Sequence, residues 1–172
     1  MAFEILPASV GDARALDMLV NSAYRGESSK QGWTTEADLF DGARTDAAAI
    51  EEIIRRPDTL VLKYVEEGKI VGCVELKREG NKLYLGMLTV QPGRQGKGIG
   101  KELMKAVEAE ARKQNYSAIF MTVISIRLEL IDWYIRHGYY NTGDRKPFAF
   151  NDLRFGMPKK ELEFVVLEKL IN

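Results

Sequence analysis

Gly86-Met87-Leu88-Thr89-Val90-Gln91-Pro92-Gly93-Arg94-Gln95-Gly96-Lys97-Gly98-Ile99-Gly100-Lys101 is the stretch on which the reading of this chain turns. An apolar, strand-like segment runs into a series of glycines. A helical pattern follows to Gln114, with Ile99, Leu103, Ala106, Val107 and Ala111 recurring three or four residues apart. The bare backbone of the glycines therefore falls at a helix N-terminus. Gly96, Gly98 and Gly100 let the chain turn without Cβ clashes, so several N–H groups converge on one anion while the helix dipole favours its charge. Arg94, Lys97 and Lys101 add positive charge, and a pyrophosphate suits such a place.

Two familiar phosphate loops are excluded by spacing. A Walker loop needs Gly, four residues and then Gly-Lys-Ser/Thr, but Gly100-Lys101 is followed by Glu102 and preceded at the required distance by Gln95. The dinucleotide fingerprint would need glycine where Lys101 stands, and it opens an early βαβ unit, whereas three antiparallel-looking strands come first here. The pattern that remains is Gln-x-x-Gly-x-Gly, at Gln95, Gly98 and Gly100.

Upstream, Phe3 to Leu6 reads as a strand and Ser9 as the cap of a helix carrying Ala15, Leu16, Leu19, Val20 and Ala23 on one face, fading near Tyr24. Asp46 to Arg56 resumes helical spacing until Pro57 stops it. Thr59–Val65, Ile70–Lys77 and Lys82–Val90 form an antiparallel meander joined by Glu67-Gly68 and Glu79-Gly80-Asn81. Ala118 to Ile124 is a wholly apolar, buried type of strand. A helix from Leu128 to His137 ends at Gly138, and Tyr139–Asp144 and Glu163–Leu170 close the chain as strands. With 172 residues and 45% hydrophobic content, a single domain spanning 1–172 is expected.

Lys plus Arg equals Asp plus Glu at 25 each, so no global field draws the protein to nucleic acid or to an anionic membrane. The single cysteine, Cys73, allows no intrachain disulfide and reads as a buried strand residue, and no clustered His and Cys suggest a metal. Met1 to Pro7 lacks the pattern of a secretion leader, and no apolar run approaches the roughly 20 residues of a membrane span, so a cytoplasmic location is expected.

The strand, Gln95-x-x-Gly98-x-Gly100 loop and helix resemble the central motif of the GNAT superfamily of N-acetyltransferases. Trp133-Tyr134-Ile135-Arg136-His137-Gly138-Tyr139 resembles a second family motif, aromatic-Tyr-x-x-x-Gly-aromatic. The order of elements matches over nearly the whole chain. The resemblance implies an α+β (mixed α/β) fold of three layers, whose central, mostly antiparallel sheet of about seven strands is flanked by about four helices and splays between its fourth and fifth strands. It also implies acetyl-CoA as co-substrate, with the N–H groups of Gln95, Gly96, Lys97, Gly98, Ile99, Gly100 and Lys101 on the pyrophosphate. The backbone of Leu88 and Val90 would pair with the pantetheine arm as an added strand.

Moving an acetyl group from a thioester to an amine requires a neutral nucleophile, a stabilised oxyanion and a thiolate that can be protonated. By resemblance Tyr134 is the general acid and the Leu88 N–H the oxyanion donor. On its own, Tyr134 also reads as a core aromatic, on one face with Leu130 and Ile131. Glu75 is the candidate base, directly or through water, against the plainer reading of an exposed strand carboxylate; no carboxylate lies between Lys82 and Val90, where several relatives carry one. His137, the only histidine, sits where a cation meets a helix C-terminus and reads as a cap. Many relatives have Asn seven residues before the tyrosine and a small residue four before it, but Arg127 and Leu130 stand here. Arg127 is thus either a ligand for a phosphate or carboxylate or an ordinary helix-start arginine.

Family resemblance puts the acceptor under the first two helices and their connection. Arg25 to Asp58 holds eight carboxylates against five basic residues, a balance suited to a cationic amine, with Trp33, Glu36 and Glu75 as candidate acceptor contacts. Phe148, Phe150 and Phe155 would form the facing wall. The acceptor is expected to be a primary amine of a small molecule or peptide. The alternatives are transfer of another acyl group, or a non-catalytic acetyl-CoA sensor. Exposed closing strands are compatible with a homodimer.

Overall fold

The computed structural model describes residues 2–24, 40–41, 45–147, 157–158 and 162–171. Strand β1 (Phe3–Pro7) leads through a 3-10 turn (Val10–Asp12) into α1 (Ala13–Tyr24). Ser9 N–H donates to the Asp12 carboxylate at 2.8 Å, and Lys63 Nζ reaches the same group at 2.9 Å, tying the turn to the sheet. The cap foreseen for the helix thus sits on the turn that precedes it. Helix α1 buries Leu16, Leu19, Val20 and Ala23, a three-to-four-residue stripe, and is described as far as Tyr24.

A two-residue strand, β2 (Phe40–Asp41), pairs with β8 (Met157–Pro158). Helix α2 (Ala47–Arg55) starts at Asp46, whose carboxylate accepts from the Ala49 N–H at 2.7 Å. The meander is β3 (Thr59–Glu66), β4 (Lys69–Glu79) and β5 (Lys82–Val90). Then come α3 (Ile99–Lys113), β6 (Ala118–Ile124), α4 (Leu128–Arg136), β7 (Tyr140–Pro147) and β9 (Glu163–Leu170). The seven-stranded sheet runs β1-β3-β4-β5-β6-β9-β7, antiparallel throughout except where β6 lies parallel to β5.

Successive strand residues point to opposite faces, so Val61 and Leu62 report two layers. Val61, Cys73 and Met87 pack with Leu16, Val20 and Ile50 of α1 and α2. Leu62, Leu76 and Leu85 pack with Leu103, Val107 and Ala111 of α3. The result is a mixed α+β sandwich with the sheet in the middle.

Strand β7 extends to Pro147, three residues past the expected end at Asp144. Its residues are mostly exposed, and Arg145, Lys146 and Pro147 align with Val165, Phe164 and Glu163 of β9 across a register shift. An edge strand of this kind is held by backbone pairing and carries no alternation for a sequence pattern to reveal.

At the end where β5 and β6 stay together, Glu168 of β9 is only 8% exposed and bridges two neighbours. Lys82 Nζ reaches one oxygen at 2.6 Å and Tyr140 donates to the other at 2.8 Å. The Lys82 bond, foremost, holds the Glu168 carboxyl below its usual range; burial opposes this and the Tyr140 bond assists. A carboxyl held low contributes stability above the ordinary glutamate value of about 4.3 and loses it as pH falls through the lower folded-state value. The midpoint of thermal unfolding should therefore drop on acidification below about pH 4.3. Glu168→Gln should lower the neutral-pH midpoint and make the acid limb shallower, as read from melts between pH 3 and 7.

Candidate active site

The ladder between β4 and β5 pairs Cys73 with Thr89 and Glu75 with Gly86, leaving Met87 and Leu88 together opposite Val74. This is a β-bulge, with Met87 left-handed at φ 53°. The extra residue re-phases the strand: Met87 joins the core under α1 and α2, while Leu88 joins Leu83 and Leu85 on the other side. On its other edge β5 pairs with β6 only through Lys82–Ala118, Leu83–Ile119 and Tyr84–Phe120. Past Tyr84 the two strands part.

A cavity of about 260 Å³ opens at this parting. Leu88 and Val90 form its strand side; Gln95, Gly96, Gly98, Ile99, Gly100 and Lys101 form its loop and helix end. Tyr134 stands on the α4 wall, so nine of the residues singled out in the sequence meet around one space. The other candidates are placed differently. Lys97 is exposed and off the lining. Arg127 caps α4 and also lies off the lining, but its charge acts on the Tyr134 phenol. Glu75 shares a sheet face with Val61 and Gly86, its ladder partners, on the side of α1 and α2. Trp33, Glu36, Phe148, Phe150 and Phe155 lie outside the described residues.

Gly98 is the N-cap of α3 at φ 84°, ψ 3°, and Gly96 has φ 84°. A Cβ at either would meet nothing within 4 Å, so left-handed backbone is what demands glycine there. Gly100 is different. It lies inside α3, 3.5 Å from the Trp133 ring when a Cβ is built on it, so it serves close packing of α4 on α3. The first-turn N–H groups of α3 have no internal helical acceptor, and they belong to residues that form the cavity end.

Arg94 does not add its charge to that end as expected. Its guanidinium sits on Glu66, which is 8% exposed at the end of β3. Burial makes an unpaired Glu66 costly, so the pair forms and straps the loop to the sheet. Gln95 Nε2 lies 3.4 Å from the Val90 carbonyl and ties the loop to β5.

Tyr134 is 5% exposed. Burial pushes its phenol well above the ordinary range, with Tyr24, Tyr139 and Tyr84 adding and Arg127 opposing. The group therefore stays a proton carrier at neutral pH. Tyr24 is on the lining with no sequence signal for it, and Leu130, Trp133 and His137 join it there from within or beside the Trp133–Tyr139 motif. Tyr24 of α1 donates its hydroxyl to the Leu88 carbonyl. His137 Nδ1 lies 2.7 Å from the Trp133 carbonyl, which can only accept, so this nitrogen carries a proton. Its ring also packs on Trp133 with centroids 4.0 Å apart, adding a cavity wall to the capping expected of it. Among the described residues no cluster of His, Cys and carboxylates forms a metal site, and no helix is long and apolar enough to cross a membrane.

The chain belongs to the acetyltransferases of the GNAT family, whose acetyltransferase (GNAT) domain matches residues 24–162. It is 27% identical over 110 residues to an "IAA acetyltransferase" of Azospirillum brasilense, covering 63% of this chain and 72% of that one. It is 30% identical over 103 residues to an "N-acetylaspartate synthetase" of Xenopus tropicalis, covering 58% of this chain and 38% of that one. Among solved structures, a PaiA N-acetyltransferase of Thermoplasma acidophilum in complex with coenzyme A superposes with a TM-score of 0.71 at 19% identity, over 99% of both chains. A ribosomal-protein-alanine N-acetyltransferase of Brucella melitensis gives 0.73 at 19% identity, over 98% of this chain and 99% of that one.

Gly98→Ala places an L side chain at φ 84° and should cost about 1–2 kcal/mol although its methyl meets no neighbour. Chemical denaturation measures this. Gly100→Ala, inside the helix with its Cβ at ordinary contact distance from Trp133, should cost less than Gly98→Ala in the same assay.

Proposed function

We propose that the protein transfers the acetyl group of acetyl-CoA to a primary amine of a small molecule or peptide, by direct attack in a ternary complex. The observation that carries this reading is the shared cavity: a glycine-built helix N-terminus at one end, the opened backbone of β5 along the side and a buried phenol on the far wall. Those features suit, in turn, a diphosphate, an amide-bearing arm that adds as a strand, and a departing thiolate. The coenzyme A complex of the Thermoplasma protein and the N-acetyl transfer named for several relatives support the same donor and acceptor class.

In this reading the N–H groups from Gln95 to Lys101 hold the diphosphate and Lys101 supplies a nearby charge. The amine nitrogen attacks the thioester carbonyl carbon, forming the C–N bond. The carbonyl π pair moves onto oxygen, where the Leu88 N–H donates to it. As the pair returns, the C–S bond breaks, and the thiolate takes the Tyr134 phenolic proton. The nitrogen loses its proton to Glu75 through water on the α1–α2 side of the sheet, leaving an amide and a thiol. Arg127 stabilises the phenolate left at Tyr134 until that proton is replaced.

Thermal unfolding tests the donor: acetyl-CoA at 100 times its dissociation constant adds ~2.7 kcal/mol, a rise of roughly 5–11 °C for a chain of this size, with ATP and NAD as controls. Thiol release on adding amines tests the reaction. Binding without release under a broad amine screen would replace the enzyme by a sensor. Tyr134→Phe should lower turnover by ~10²-fold or more while retaining the acetyl-CoA shift. Near-normal turnover of a folded variant would remove Tyr134 from the mechanism.

A further inference from the structure

We infer that Thr89 and Tyr24 are positioning residues that aim the Leu88 N–H into the opening between β5 and β6, a deepening that rests on the acetyl-transfer reading above. A bulged strand has lost the ladder that normally orients its peptides: Met87 and Leu88 fall outside the pairing with β4, and the pairing with β6 ends at Tyr84. Other groups take over that task. The Thr89 hydroxyl donates to the Met87 carbonyl at 2.9 Å, and the Cys73 thiol of β4 lies 3.9 Å from the same oxygen. The Tyr24 hydroxyl donates to the next carbonyl, that of Leu88. Both peptides that flank Leu88 are thereby held through their oxygens.

In a planar trans peptide the C=O and the following N–H point in opposite directions, and the described chain has no cis bond. Holding the Met87 oxygen toward Cys73 therefore sends the Leu88 N–H away from β4, to the edge that β6 has left. That edge borders the cavity shared with Tyr134. The arrangement also accounts for a hydroxyl in the core: Thr89 is 1% exposed, opposite Cys73, and its oxygen is satisfied by the bulge itself. Tyr24, 8% exposed in α1, couples the helix that covers the acceptor side to the strand that would hold the acyl carbonyl.

The test compares Thr89→Val, Thr89→Ser and Tyr24→Phe with the parent chain, measuring unfolding midpoint, kcat, KM for acetyl-CoA, and the carbonyl stretching band of bound acetyl-CoA labelled with carbon-13 at the acetyl carbonyl. A misaimed single oxyanion donor forfeits part of the roughly 10²–10³-fold such donors supply, so Thr89→Val should lose about 10–100-fold in kcat. KM for acetyl-CoA should stay close to the parent's, because the diphosphate contacts are untouched. Thr89→Ser, which keeps the oxygen, should restore most of the turnover. Tyr24→Phe should lower kcat in the same direction, and in both impaired variants the carbonyl band should move toward that of free acetyl-CoA. A folded Thr89→Val with parental kcat and parental band overturns the assignment of Thr89. If that variant does not fold, Tyr24→Phe decides: parental turnover and band overturn the clamp. A parent chain that neither binds acetyl-CoA nor releases thiol overturns the underlying reading, and the clamp with it.

Discussion

Strand β5 stays hydrogen-bonded to β6 for three residue pairs and then leaves it, and the rest of the site depends on that parting. Strand edges in a protein interior are costly because each unpaired N–H and C=O forfeits a hydrogen bond it had in water. An opening between two central strands is therefore stable only if something keeps the sheet together elsewhere and something else can occupy the gap. The first condition is met at the far end, where Glu168 joins Lys82 of β5 to Tyr140 of β7 across the intervening strands. The second is met by a cavity reaching from the N-terminus of α3 to Tyr134.

Charge is distributed around the opening more sparingly than the basic residues of the loop suggest. Arg94 is committed to Glu66, so its role is mechanical: it fixes where the loop leaves the sheet. The anion-attracting end is made chiefly of helix N–H groups, presented by glycines whose left-handed backbone starts α3 at the right place. On the opposite wall Tyr134 is only 5% exposed. Burial keeps the Tyr134 phenol neutral, and Arg127 is close enough to temper that effect.

Much of this was legible along the chain. The apolar pattern located α3, β6 and β9 to within a residue, because each buries a continuous set of apolar side chains in the core, whereas α1 begins three residues after the start that a Ser9 cap implies, since Val10–Asp12 forms a 3-10 turn. The pattern missed the end of β7, whose residues answer to backbone pairing with β9 and to water. In the site, the loop glycines and Tyr134 were visible because local backbone demands and a short motif mark them. Tyr24 was not, since it looks like any apolar residue at the end of an amphipathic helix. Its hydroxyl acquires meaning only from Leu88, 64 residues away. Arg94 misled for a similar reason, because its partner lies 28 residues upstream on another strand.

The sequence by itself determined which segments become helix or strand and where the chain must turn left-handed to begin α3, since spacing of apolar side chains and the steric freedom of glycine are local properties. Tertiary structure alone decided that β5 bulges at Met87, that Arg94 serves Glu66, and that Tyr24 meets Leu88. Those outcomes arise when hydrogen-bonding groups distant along the chain compete for partners in a packed interior, and no local pattern encodes who wins.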